Sequence, residues 1–303
     1  MTVARAVVDN RAQKPARWAP YMMSLPGLLC LYLFFIVPLV TLLKIALSVR
    51  VEAGSTQVEF QWAWSNFSKA FTDFGEQLWR AFAYAGVATV LCVLLAYPIA
   101  YFIAFKAGKW GNLLLGLVMV PFFTSFLLRT IAWQSLFADS GPILGIVDAL
   151  HLTGVTNFLH ITTDDKIMNT PAAVIGGLTY SYMPFALLPI YVSLEKVEHN
   201  LVDAASDLYS SFPRTFRKVI FPLSLPGVFA GTLLTFIPAA GDFINAELLG
   251  NPQNPVIGGV IQSRFLKAGD YPTAAAISFV LMAMIMTGVL IYAKFLGTEE
   301  LST

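Results

Sequence analysis

The sequence predicts an all-α integral membrane protein with six transmembrane helices, and three observations predict it. Of its 303 residues, 57% are hydrophobic and only 12% charged, whereas an average soluble domain carries about 25% charged residues. Six apolar runs, near 21–47, 80–105, 112–137, 172–194, 224–248 and 273–296, are each long enough to cross roughly 30 Å of hydrocarbon at about 1.5 Å per residue. The basic residues between them are distributed unevenly, as the positive-inside rule requires.

The charge count sets the orientation. Arg5, Arg11, Lys14 and Arg17, Lys106 and Lys109, Lys196, Arg214, Arg217 and Lys218, and Lys294 place eleven basic residues on one side. The other side has six, Arg50, Lys69, Arg80, Lys166, Arg264 and Lys267. Both termini are therefore expected on the cytoplasmic side of the membrane. The formal net charge of +1 offers no global attraction for nucleic acid.

Residues 1–20 are polar, carry Pro15 and Pro20, and read as a cytoplasmic tail. The first run follows basic residues as a signal peptide does. Its core from Leu25 to Leu43 is longer than a cleavable apolar region, however, and no small-residue cleavage site follows, so an uncleaved anchor is expected. In 49–79 the aromatics Phe60, Trp62, Trp64, Phe67, Phe71 and Phe74 alternate with Lys69, Asp73 and Glu76. They suit either a short amphipathic helix lying on the outer surface or an aromatic belt anchoring a loop. Segment 138–171, with Gly141-Pro142 and the polar run Thr162–Thr170, and segment 249–272, with Gly250, Pro252, Pro255 and Gly258-Gly259, read as outer loops. A transmembrane domain over 21–296 and a short cytoplasmic tail, 297–303, complete the organisation.

Cys30 and Cys92 fall inside apolar runs, where they act as small hydrophobes. The chain has no Gly-rich phosphate loop, no His-Glu-x-x-His and no Gly-x-Ser-x-Gly, and only three His, two of them (His151 and His160) in an outer loop. No catalytic residue, metal site or cofactor is therefore expected in this chain. If ATP drives it, a partner binds the nucleotide.

The segment 195–223 is polar and basic between two spans. Asn200 followed by Asp203 suits a helix N-cap with an acid at the third position. Ala204 and Ala205 let another surface approach the backbone. Ser210, Ser211 and Pro213 break that helix and start a second, with Phe216, Val219 and Ile220 beside Arg214, Arg217 and Lys218, and Pro222 is expected to end it. By physics alone the segment is either an interfacial linker whose arginines meet lipid phosphate or a surface held by another protein.

Asp203-Ala204-Ala205, Tyr209, Phe216, Val219 and Phe221-Pro222 resemble the Glu-Ala-Ala loop of importer permeases of the ATP-binding cassette class. In that family Glu-Ala-Ala is followed by three residues, Gly, nine residues and Ile-x-Leu-Pro. Here Asp203, Val219 and Phe221 are conservative departures. Tyr209 is not, because a Gly there supplies a left-handed residue that costs a bulky side chain about 1–2 kcal/mol. The similarity extends over about 21–296 and is strongest to permeases for polyamines, through LPGLLCLYLFFIVPL, AYPIAYFIA, VPFFTSFLLRTIAWQSLF, YSYMPFALLPIYVSLEKVE, PLSLPGVFAG and GDFINAELLG.

The resemblance implies a type I importer permease (MetI-like) fold and a place in a heterodimer with a second permease. It further implies two ATPase subunits that bind ATP and Mg, and a soluble protein that delivers putrescine or spermidine. Asp203, Ala204, Ala205, Asp207, Tyr209, Phe212, Arg214 and Phe216 would couple to the ATPase. Rival readings are the same importer class for another solute, such as thiamine, ferric ion, an opine or an amino acid, a secondary transporter or channel without an ATPase, and a membrane-embedded enzyme.

For the substrate pathway, Gly231, Thr235, Pro238, Asp242 and Asn245 are spaced to share one face of the fifth span. Asp242 is expected either to meet a cationic solute or to bond a neighbouring helix. Glu247 points elsewhere on the same helix. Tyr180, Tyr182 and Trp133 offer ring faces to an ammonium group, with an interface belt as the alternative for Trp133. Asp139 is a candidate entrance carboxylate, and Arg129 is expected in an ion pair or at the interface.

Overall fold

The computed structural model describes residues 19–52, 55–149, 162 and 166–296. The expected tails, apart from residues 19 and 20, and most of the stretch between 150 and 165 with His151 and His160, lie outside the described residues. Among the described residues, five helices are long and apolar enough to span a membrane, and a sixth crossing is available if one sharply bent pair counts as a span.

The first span comprises α1 (Ala19–Leu31) and α2 (Val37–Ala46), joined through a π-turn at Tyr32–Ile36. Its central window buries nothing. Leu42, Ile45 and Ala46 near its end join a core cluster with the rest of the chain, and most of its apolar surface is left for lipid or another subunit. A two-stranded antiparallel ribbon follows, β1 (Ser48–Arg50) and β2 (Val58–Phe60), with Ser48 opposite Phe60. Asn66 Nδ2 donates to the carbonyls of Ala46 and Ser48, each at 2.9 Å, and fixes the ribbon to the next helix.

That helix, α3 (Ser65–Phe105), has 41 residues and is about 60 Å long. It begins fifteen residues before the expected span, so neither a separate surface helix nor a belt loop occupies the whole of 49–79. No proline lies between Ser65 and Tyr97 to stop it, and the Glu76–Arg80 ion pair supports its exposed side. Its buried stripe reads Leu78, Ala81, Ala85, Ala88, Cys92, Ala96, Ala100 and Ile103. Three- and four-residue spacing puts these small residues on one face, which lets neighbouring backbones approach closely.

The third apolar run is not one helix. After α4 (Gly111–Met119), a 3₁₀ turn at Val120–Phe123 and extended backbone at Thr124 and Ser125 interrupt it before α5 (Phe126–Phe137). The two arms meet at 89°. Pro121 lacks the N–H that a continuing helix would use, and its own carbonyl, at the end of the turn, accepts from Thr124 Oγ1 at 2.7 Å. A short helix, α6 (Pro142–Ala149), follows.

The fourth span, α7 (Pro171–Glu195), starts cleanly because the Thr170 side chain accepts from the Ala173 N–H at 3.2 Å and Pro171 supplies the first turn. After the loop helices α8 (His199–Asp207) and α9 (Phe212–Thr215), a π-turn at Phe216–Ile220 leads straight into α10 (Phe221–Ala240). Pro222 therefore does not end the second loop helix. It sits just beyond the π-turn, where the wider repeat accommodates the missing N–H. Gly227 and Gly231 on α10 meet α7: a Cβ at Gly231 would lie 3.1 Å from Ala186 Cα, and one at Gly227 would collide with the Pro189 carbonyl.

The fifth run also breaks. α10 stops at Ala240, and α11 (Ile244–Leu249), α12 (Ile257–Gln262) and a π-turn at Ser263–Lys267 lead to the last span, α13 (Tyr271–Leu296). Arg50 from β1 and Arg264 lie 3.6 and 3.7 Å from Asp270, and these pairs tie the ribbon to this end of the bundle. Gly269 between them has φ +57°, a conformation that favours glycine.

Candidate functional site

Two regions bear the side chains that the sequence singles out, one at each end of α7 and α10. At the first, α8 begins at His199, so Asn200 lies inside the helix and not at its cap. The other end is closed by the backbone. Ser210 N–H donates to Ala205 O at 3.1 Å, Leu208 N–H to Ala204 O at 3.2 Å, and Tyr209 is left-handed at φ +57°. This is a Schellman closure with tyrosine in the glycine position. Tyr209 is 96% exposed, so its ring meets no steric opposition and the strain is confined to the backbone.

Asp203, Ala204 and Asp207 are exposed and Ala205 is half-exposed. Leu208 and Phe212 also face outward, with relative exposures of 81% and 60%. Two acids, two small residues and bare apolar side chains are thus left uncovered by the chain itself. Arg214, Arg217 and Lys218 line a neighbouring concavity with Ser211 and Pro213.

Phe216 points the other way, into the bundle. Its ring lies 5.7 Å from Tyr97, 6.3 Å from Tyr101, 6.4 Å from Phe212 and 6.1 Å from Phe221. Tyr97 Oη is 2.7 Å from Ser224 Oγ. The loop therefore reaches α3 and α10 through packed rings. Sequence reasoning missed Tyr97, Tyr101 and Ser224, although Tyr97, Tyr101 and Phe105 at four-residue spacing mark one helix face.

At the second region the expected five-residue face does not exist, because the helix ends before Asp242. Gly231 and Thr235 remain on α10, both buried, and Thr235 Oγ1 has no hydrogen-bond partner among the described residues. Asp242 lies in the break and closes it. Its Oδ1 accepts from the Asn245 N–H and its Oδ2 from Asn245 Nδ2, both at 2.9 Å, while Tyr182 Oη donates to Oδ2 at 2.8 Å. Fully buried Asn245 also lies 3.5 Å from Thr130 Oγ1, and a Cβ on Gly177 would stand 2.9 Å from Asn245 Oδ1. All three donors to Asp242 are neutral. No lysine or arginine comes within ion-pair distance of it among the described residues.

The remaining candidates separate. Glu247 pairs with Lys267 at 3.7 Å and Asp139 with Lys166 at 2.6 Å, both away from Asp242. Trp133 stands 5.1 Å from Tyr180 and 5.0 Å from Phe137, so it packs inside a ring cluster. Arg129 has no ion pair among the described residues; its guanidinium lies over Phe122 and Phe126, with centroids at 5.1 and 5.8 Å. These rings, together with Tyr182 and Phe185, wall a cavity of about 480 Å³.

The sequence that forms the bent pair, the broken fifth span and the loop between α7 and α10 also matches a known family. Residues 96–296 fit the model of the binding-protein-dependent transport system inner membrane component. The chain belongs to that family.

Among individual relatives, the spermidine/putrescine transport system permease protein PotB of Haemophilus influenzae is 34% identical over 264 residues, covering 84% of this chain and 88% of that protein. PotB of Escherichia coli K12 is 34% identical over 278 residues, covering 89% and 94%. The inner membrane ABC transporter permease protein YdcU of the same organism is 31% identical, covering 73% and 71%. In shape, the chain is similar to one from a bacterial ABC transporter involved in import of the acidic polysaccharide alginate, with a TM-score of 0.66 at 14% identity, covering 94% and 96%. A chain of the MetNI methionine ABC transporter gives 0.55 at 14% identity, covering 73% and 93%. The fold is accordingly the MetI-like permease fold, and the chain is a multi-pass membrane protein.

Proposed function

We propose that this chain is a permease subunit of an ATP-driven importer for polyamines such as putrescine and spermidine, working by alternating access. It would pair with a second permease and with two ATPase subunits that bind ATP and Mg, and a soluble binding protein would deliver the cargo. Both termini and the 195–223 loop would lie in the cytoplasm. The observation that carries the cationic cargo is Asp242, a carboxylate within the membrane domain that has neutral donors and no cationic partner among the described residues. An ionised acid in a membrane span costs about 2.5–3.5 kcal/mol on insertion scales, and a passing ammonium group offsets that cost as neutral donors alone do not. The names of the 34% identical relatives support the same cargo.

In this reading the exposed surface of α8 docks on an ATPase, and the Phe216 ring cluster passes its movement to α3 and α10. Closure of the ATPases on ATP would shift the loop and open the pathway toward one side or the other. The test is an importer reconstituted in vesicles with its binding protein, assayed with a panel of polyamines, basic amino acids and thiamine. Polyamine-stimulated ATP hydrolysis with matching uptake is expected, and Asp242→Asn should reduce uptake about tenfold. Stimulation by another solute class, or full uptake by the Asn variant, would refute the cationic reading.

A further inference from the structure

Arg129 is the one charged residue in the wall of the aromatic cavity, and it is loosely held. Its Nη1 reaches the Pro121 carbonyl only at 3.4 Å. Its buried Nε has no hydrogen-bond partner, and no carboxylate pairs with it among the described residues. What holds the guanidinium are the faces of Phe122 and Phe126, both within the roughly 6 Å over which a ring attracts a cation. Behind the same cavity, Tyr182 donates to the unpaired carboxylate of Asp242. The chain thus supplies a site with ring faces and a nearby negative charge, and fills it with its own cation.

We propose that Arg129 is a resident occupant of an organic-cation site: its guanidinium covers the ring faces that an ammonium group of the cargo takes, and cargo binding displaces it. The inference rests on the polyamine reading above. Displacement breaks one long hydrogen bond and exchanges one cation–ring contact for another, so the exchange is nearly balanced. An inorganic cation keeps its hydration shell and gains little from rings, so it does not displace the guanidinium and is excluded by its charge. A polyamine has a second ammonium group free to face Asp242 while the first replaces Arg129.

The test is equilibrium binding of radiolabelled spermidine to the purified importer complex in lipid nanodiscs with the binding protein omitted. Arg129→Gln keeps a neutral donor for the Pro121 carbonyl and removes the charge. It is expected to bind spermidine about tenfold more tightly than the wild type, the equivalent of one competing cation–ring contact removed. Guanidinium ion should compete with spermidine in this variant, and isosteric but neutral urea should not. Binding unchanged or weakened in Arg129→Gln, or equal competition by urea, would overturn the proposal and leave Arg129 as a support for the helix break. Phe126→Leu gives a reading that does not depend on the Gln variant assembling: spermidine binding should weaken severalfold, and unchanged binding would also overturn it. A wild-type complex that imports no polyamine with its binding protein present would instead remove the parent reading.

Discussion

The loop around α8 and the break around Asp242 are closed in opposite ways. The loop closes with backbone: Ser210 and Leu208 N–H groups satisfy Ala205 and Ala204 carbonyls, Tyr209 bears the left-handed strain, and the side chains are left bare. The break closes with side chains: Asp242, Asn245, Tyr182 and Thr130 satisfy one another in the interior. A partner can grip the first without disturbing its fold. The second has no such freedom, since any change of chemistry there is also a change of structure.

The largest expected effect follows from that difference. Asp242→Leu removes three hydrogen bonds to a charged acceptor and leaves Asn245 buried without its partner, a loss of about 3 kcal/mol or more. Thermal unfolding in detergent should show a clearly lowered midpoint; a midpoint equal to the wild type would show that the break does not depend on its acid.

Gly227→Val comes next. Its branched side chain would be driven into the Pro189 carbonyl and Ser193 at the crossing of α7 and α10, for about 1–3 kcal/mol of overpacking. The same assay should register it, whereas Gly116→Val, whose Cβ meets nothing, should not.

Phe216→Ala sharpens the comparison on the loop side. It removes ring contacts to Tyr97, Tyr101, Phe212 and Phe221, each worth about 0.5–1.5 kcal/mol. Because α8 keeps its own closure, the expected result is an assembled complex that hydrolyses ATP with uptake reduced about tenfold; proportionate uptake would mean that the rings do not transmit the motion. Smallest is Tyr209→Gly, which relieves a left-handed non-glycine residue worth about 1 kcal/mol. Hydrogen exchange at Ser210 and Leu208 should slow about fivefold, and unchanged exchange would mean that the closure carries no strain.

The spans were legible because hydrophobic length is a direct count, and the loop because Ala204-Ala205 and Pro222 keep a recognisable spacing. The breaks were not. Pro121, at the break, looks in sequence like Pro98, Pro184, Pro189, Pro226 and Pro238, which all sit inside helices. Whether a proline ends a helix depends on partners for the freed backbone groups, and those partners, such as Thr124 for Pro121 and Asp242 for Asn245, are settled only by tertiary packing. The supposed face through Thr235, Asp242 and Asn245 failed for this reason.

The central claim is that the surface around Ala205 is where the ATP cycle of a partner enters this chain. Ala205→Arg tests it most directly, with substrate-stimulated ATP hydrolysis measured on the reconstituted importer and thermal unfolding measured on the same preparation. A long side chain at a half-exposed alanine should leave the unfolding midpoint unchanged and reduce stimulation at least tenfold. Normal stimulation in a complex that contains the variant would contradict close packing at this alanine, and with it the role assigned to the loop.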